Sequence, residues 1–118
     1  MLYKHYEYKR YEIVISKSAK EDIKSQKKYI LRKFRYREYA ENYSKKIKSA
    51  ISQLNILPNR YSSTGFNYRG YDIYIKPYQS YMIFYTIDTS KKTVAALRVL
   101  QDGMDWENII IHWLEEFS

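Results

Sequence analysis

The chain has 118 residues, enough for one domain with a single core, and its 45% hydrophobic and 18% aromatic content excludes a disordered polymer. With no cysteine and only His5 and His112, disulfides, a thiolate metal site and a histidine cluster are excluded. The net charge of +8 is lopsided: residues 1–60 hold 16 Lys/Arg against 6 Asp/Glu, and residues 61–118 hold 5 against 7. A basic half of this kind attracts a polyanion, either nucleic acid or an acidic protein segment, although lysines also simply keep helix surfaces soluble. No apolar run approaches the roughly 18 residues of a membrane span and no signal-peptide core opens the chain, so a cytoplasmic protein without a cofactor is expected.

In chain order, Tyr6 to Ser16 reads as a strand, with Tyr11, Ile13 and Ile15 on one face and Glu12 and Val14 on the other. Ser18-Ala19-Lys20-Glu21 has the spacing of a capping box and predicts a helix with Ala19, Ile23, Ile30 and Phe34 along its apolar face. The chain reverses over Phe34 to Glu38. A second helix begins near Tyr39, carries Ala40, Tyr43, Ile47, Ala50 or Ile51, and Leu54, and stops near Leu57, because Pro58 disfavours helical geometry in its predecessor. Asn59 to Arg69 is expected to be a polar loop.

Three alternating segments follow: Tyr71 to Lys76, Tyr81 to Ile87 and Thr93 to Leu100. Short connections at Pro77–Ser80 and Asp88–Lys92 mark them as consecutive antiparallel strands. A final helix opens at Asp105-Trp106-Glu107-Asn108 with Trp106, Ile109 or Ile110, Trp113 and Phe117 as its stripe. The predicted fold is α+β, an antiparallel sheet with an N-terminal helical hairpin and a C-terminal helix, in the order β-α-α-β-β-β-α within a single domain spanning 1–118.

That order, together with Gly70-Tyr71, the strand Tyr81 to Asp88, the strand end Leu97-Arg98-Val99-Leu100, Asp105-Trp106-Glu107-Asn108-Ile109, the opening Ile15 to Ile23 and the Leu54-to-Pro58 exit, resembles the RelE/ParE superfamily of type II toxin–antitoxin toxins, in particular its short plasmid-stabilisation members. The resemblance implies a basic protein that arrests growth and is neutralised by a cognate acidic antitoxin that folds on binding. It also implies one of two targets. RelE-like members are metal-independent, ribosome-dependent endoribonucleases that cut messenger RNA, and ParE-like members poison DNA gyrase. A third outcome is an attenuated toxin acting mainly as binding partner and co-repressor with its antitoxin. Where RelE-like toxins carry basic or acid–base side chains, this chain has Asp72, Met82, Gln101, Gly103 and Met104.

RNA cleavage without a metal needs a base for the 2′-hydroxyl, a cation for the phosphate and an acid for the leaving oxygen. The remaining candidates are Tyr74, Lys76 and Arg98 as catalytic groups, and Arg69, Lys76 and Tyr78 for binding nucleic acid or target. Lys76 shares a strand face with Tyr74 and Asp72 and is either a phosphate ligand or an edge lysine that blocks sheet association. Arg98, unexpected mid-strand, contacts a phosphate or, preferably, pairs with Asp88, Asp102 or Glu107. His112 reads as a helix-surface histidine. Arg and Tyr interleave at Arg32, Arg35, Tyr36, Arg37, Tyr39 and Tyr43, a composition shared by single-strand binders and protein interfaces. The interface reading is preferred, which makes Arg35, Tyr36, Arg37 and Tyr39, together with Trp113, the expected antitoxin contacts.

Overall fold

The computed structural model describes residues 10–117. Its elements are β1 (Glu12–Ile15), α1 (Lys17–Phe34), α2 (Arg37–Ser52), short 3-10 turns at Gln53–Asn55 and Pro58–Arg60, β2 (Ser62–Tyr68), β3 (Tyr71–Tyr78), β4 (Tyr81–Asp88), β5 (Thr93–Gln101) and α3 (Trp106–Phe117). The expected order is kept with one strand added. The segment expected to be a polar loop, 59–69, contains β2, whose pairing with β3 shifts register between Ser63 and Asn67. Gly65, at φ +87°, lies within that irregularity and supplies the backbone freedom it needs. The Tyr6 start expected for the first strand lies outside the described residues, and the strand itself is short.

The sheet order is β1-β5-β4-β3-β2. It is mixed rather than purely antiparallel: β2 to β5 form the expected meander, but β1 runs parallel to β5, with Ile13 opposite Val94 and Ile15 opposite Ala96. The α1–α2 hairpin carries the chain from β1 at one edge of the sheet to β2 at the other, and the meander then returns to lay β5 beside β1.

Helices cover both faces. The hairpin buries Ala19, Ile23, Tyr43, Ile47, Ala50, Ile51 and Leu54 against Ile83, Tyr85, Val94, Ala96 and Val99. On the other face α3 packs Ile110 and Trp113 against Ile73, Met82, Phe84, Leu97 and Leu100. The central strand β4 is therefore buried continuously from Met82 to Thr86, as a strand covered on both sides must be. Phe34, expected on the apolar face of α1, is instead exposed near the hairpin tip, where its ring meets Tyr39 edge-on.

The cap of α1 is Ser16, not Ser18. The Ser16 Oγ accepts from the Ala19 amide at 3.1 Å, and Glu21 has no capping-box role. Ser18 lies inside the helix and receives the Trp113 indole N–H at 3.1 Å, tying α1 to α3. α1 ends at Arg35, in left-handed geometry with φ 61°, and α2 begins two residues before the expected Tyr39. It ends at Ser52, short of the expected Leu57, and a 3-10 turn at Gln53–Asn55 leads to Leu57, which takes left-handed geometry before Pro58.

Candidate functional site

β1 accompanies β5 only as far as Ala96, so beyond that point the outer edge of β5 has no strand partner. An unpaired edge exposes backbone polar groups and invites association. Side chains of α1 close it. Ser16 Oγ donates to the Leu97 carbonyl at 3.0 Å, Asp22 Oδ2 accepts from the Val99 amide at 2.9 Å, and Gln26 Nε2 donates to the Val99 carbonyl at 2.9 Å. The Gln26 carbonyl in turn receives the Tyr43 hydroxyl from α2.

Arg98 belongs to this edge. Its Nε and Nη2 bind Asp22 Oδ2 and Oδ1 at 2.7 and 2.8 Å, a two-pronged pair with side chains only 17% and 14% exposed. Arg98 is thus paired, but its partner is Asp22 on α1 and not Asp88, Asp102 or Glu107, the partners expected from the sequence. Neither Asp22 nor Gln26 was singled out from the sequence, because their partners lie more than 70 residues away.

Lys76 is 3% exposed and sits in β3, an interior strand, so it is not an edge lysine. Its Nζ donates to the Ala50 carbonyl at 2.7 Å and to Gln53 Oε1 at 3.4 Å, and lies 5.5 Å from the Tyr61 ring centre. The ammonium thus satisfies a carbonyl of the last turn of α2, where helix ends leave acceptors unpaired and the dipole favours a cation. Burial, followed by the Arg60 charge, holds its pKa below the ordinary lysine value. To hold a phosphate, Lys76 would have to leave this socket.

The other members of the expected set do not converge. Tyr74 stacks on Tyr85 at 5.6 Å and borders a cleft of about 530 Å³ with Tyr11, Tyr71, Asp72 and Lys92. Tyr78 lies four residues further along β3, roughly 13 Å at strand rise, and lines a different recess with Tyr43 and Tyr81. Arg69 sits in the β2–β3 turn with φ 53° and covers the Tyr68 ring at 4.9 Å. Of the positions where basic residues are replaced, Met82 is buried in the α3-side core, while Asp72, Gln101, Gly103 and Met104 are exposed. Tyr43, Tyr81 and Tyr85 have raised pKa values, with burial the first cause in each; in Tyr71 the first cause is its hydrogen bond to Asp88. These phenols hold their protons more tightly than usual, so none is poised as a base. His112 is exposed, with Nδ1 2.8 Å from the Asn108 carbonyl of its own helix. Among the described residues no cluster of His, Cys, Asp and Glu could hold a metal ion.

The hairpin tip does converge. Arg35, Tyr36, Arg37 and Tyr39 join the two helices, and Tyr39 contacts both Phe34 and Tyr36 at ring separations of 5.6 and 5.5 Å. Lys33 lies over Tyr29 and Phe34. Tyr29, Phe34, Tyr36 and Tyr39 are all exposed, forming an aromatic patch ringed by cations. Trp113, expected with this group, is 7% exposed on the other face of the sheet, stacked with Tyr68 and bound to Ser18. It is a core residue tying α3 to α1.

The structure is similar to the chromosomal ParDE toxin–antitoxin system from P. aeruginosa, with a TM-score of 0.64, 12% identity and coverage of 79% of this chain and 97% of that one. It is also similar to the RelBE2 toxin–antitoxin complex from Mycobacterium tuberculosis, with a TM-score of 0.52, 19% identity and coverage of 80% and 94%. At these identities the likeness is one of fold. No curated protein sequence matches the chain. The model of the family described as the ParE toxin of type II toxin–antitoxin systems matches residues 13–106, from β1 through the start of α3, and the chain belongs to that family.

Proposed function

We propose that this toxin arrests growth by binding and poisoning DNA gyrase rather than by cutting RNA, and that a cognate acidic antitoxin neutralises it. The observation that carries this reading is the use made of the two charged groups expected to serve phosphate chemistry. Lys76 is spent on the α2 terminus and Arg98 on Asp22, both with side chains largely withdrawn from solvent. Tyr74 and Tyr78 border separate recesses and Arg69 lies over Tyr68 in the β2–β3 turn, so the candidate base, cation and acid do not form one set. A poison that acts by contact needs only a presented surface. The aromatic and basic hairpin tip supplies the residue types that dominate protein interfaces, and Arg35, Tyr36, Arg37 and Tyr39 are the residues through which it engages protein partners.

Inducing the chain alone in cells and following DNA, RNA and protein synthesis separately tests the reading. Gyrase poisoning produces DNA breaks and a DNA-damage response before translation falls. Cut transcripts with intact chromosomes would establish the ribonuclease instead. Unimpaired growth would mark an attenuated toxin that acts mainly with its antitoxin in repression.

A further inference from the structure

The cleft of about 530 Å³ beside Tyr74 opens between the residue that leads into β1, the Leu57–Asn59 turn, the start of β3 and the β4–β5 connection. A cavity of this size holds a small ligand, or one side chain with its flanking peptide groups. Three tyrosines line it: Tyr11, Tyr71 and Tyr74. Tyr74 turns one ring face to Tyr85, at 5.6 Å and an interplanar angle of 24°, and borders the cleft with the rest of its ring. The face of a phenol ring is the negative end of its quadrupole, so such walls attract cations. The chain itself seats one there. Lys92, also in the lining, holds its ammonium 5.2 Å from the Tyr11 ring centre.

The carboxylates agree with the rings. Asp72 lines the cleft, is exposed, and has no ion-pair or side-chain hydrogen-bond partner among the described residues. Asp88 is already engaged: its Oδ2 accepts the Tyr71 hydroxyl at 2.9 Å and its Oδ1 the Lys91 amide at 3.0 Å. It fixes Tyr71 and leaves Asp72 as the open anion. Asp72 and Tyr74 lie two residues apart on β3, so they project to the same side of the sheet, about 7 Å apart at strand rise. A flat cation resting on the Tyr74 ring meets the Asp72 carboxylate with its edge at that spacing. A guanidinium is flat, weakly hydrated and forked to match a carboxylate, whereas an ammonium is compact and strongly hydrated. Leu57, 40% exposed, and Ile87 add apolar surface for the methylenes of a long side chain. A nucleotide also stacks on tyrosine, but its phosphate would meet two carboxylates, Asp72 and Asp88, against the one ammonium of Lys92. These three groups belong to residues 61–118, the half of the chain in which acid exceeds base.

We infer that this cleft binds an arginine side chain presented by a partner protein, its guanidinium stacked on Tyr74 and paired with Asp72, its methylenes against Leu57 and Ile87. Lys92 is the resident cation with which the arginine competes. The site selects a basic group, the opposite of what an acidic antitoxin offers, and it stands whichever target accounts for growth arrest.

The probe is acetyl-Gly-Arg-Gly-amide, titrated into the full chain and followed by the backbone amide shifts of Gly70, Asp72 and Thr89 in proton–nitrogen correlation spectra. The citrulline peptide, which keeps the shape and loses the charge, binds about fivefold more weakly, and the lysine peptide is also weaker. Agmatine, a guanidinium without peptide groups, binds less tightly than the arginine peptide. Asp72→Asn, at an exposed and unpaired position, melts as wild type does and loses about fivefold in affinity. Lys92→Met keeps the aliphatic stem, removes the competing cation and tightens binding about twofold. Equal binding of the citrulline peptide, undiminished affinity in Asp72→Asn, or weaker binding by a folded Lys92→Met would overturn the inference. Equal binding of agmatine would assign the cleft to a free cation, and tighter binding of guanosine monophosphate to a nucleotide; either result overturns the protein partner.

Discussion

Removing the Asp22 carboxylate puts the β5 edge at risk in two ways. In Asp22→Ala the Arg98 guanidinium loses both short contacts, and the Val99 amide loses its acceptor. Breaking a fully buried ion pair from one side costs about 3–5 kcal/mol. The residual exposure of these side chains, 17% and 14%, lets water recover part of that, leaving about 2 kcal/mol for the pair. The orphaned Val99 amide adds about 1 kcal/mol, for a total near 3 kcal/mol and a fall in Tm of about 12 °C for a chain of this size. Arg98→Met keeps the aliphatic stem and leaves Asp22 with its Val99 contact, at a cost of about 2 kcal/mol. The double mutant should cost clearly less than the sum, with a coupling of about 1.5 kcal/mol measured by urea unfolding. Additive losses, or an Asp22→Ala cost under about 1 kcal/mol, would refute the pairing as the reason for a charge mid-strand. The same variants separate structure from function: Arg98→Met, assayed below its melting range, should still arrest growth. Loss of arrest in a folded Arg98→Met protein would return Arg98 to the list of groups that touch the target.

Further outcomes follow from the same contacts. Lys76 has a folded pKa below its unfolded value, so between the two the unfolded chain binds more protons and stability rises with pH toward the ordinary lysine range. Lys76→Met should abolish that rise in urea titrations from pH 7 to 10. Above about pH 10 the order reverses for Tyr43 and Tyr85: their pKa values are raised, the unfolded chain loses protons first, and stability falls in both wild type and variant. Ser16→Ala, which removes both the helix cap and the Leu97 contact, should cost about 1–2 kcal/mol, and Ser18→Ala, which frees only the Trp113 indole, about 1 kcal/mol or less. An equal or reversed pair of urea midpoints would contradict the assignment of Ser16 as the cap. Tyr36→Ser with Tyr39→Ser alters exposed rings only and should leave Tm within about 3 °C, yet weaken antitoxin binding at least tenfold in titration calorimetry.

The features legible in the sequence are those written in local periodicity. The hairpin, the meander from Tyr71 to Leu100 and the Trp106 helix all follow from repeating apolar positions, and the stop before Pro58 from backbone sterics. β2 was missed because Ser62, Ser63, Thr64 and Asn67 are polar and Gly65 breaks the alternation. An outer edge strand needs little apolar surface, and its pairing with β3 supplies the rest. The parallel placement of β1 was missed because a lone strand before two helices carries no mark of its partner's direction. At the site, the sequence showed that Arg98 needed a counter-charge but not which one, since Asp22 lies 76 residues away. Lys76 looked catalytic by its alternation with Tyr74. Only the folded chain shows that α2 ends over β3 with an acceptor at that point.

The most direct test of a contact poison mixes the purified chain with purified gyrase and supercoiled plasmid, quenches with detergent, and resolves the DNA. A contact poison makes linear DNA accumulate with toxin concentration, for Arg98→Met as for wild type. Untouched gyrase cleavage and supercoiling, together with cutting of ribosome-bound messenger RNA by the same preparation, would contradict it.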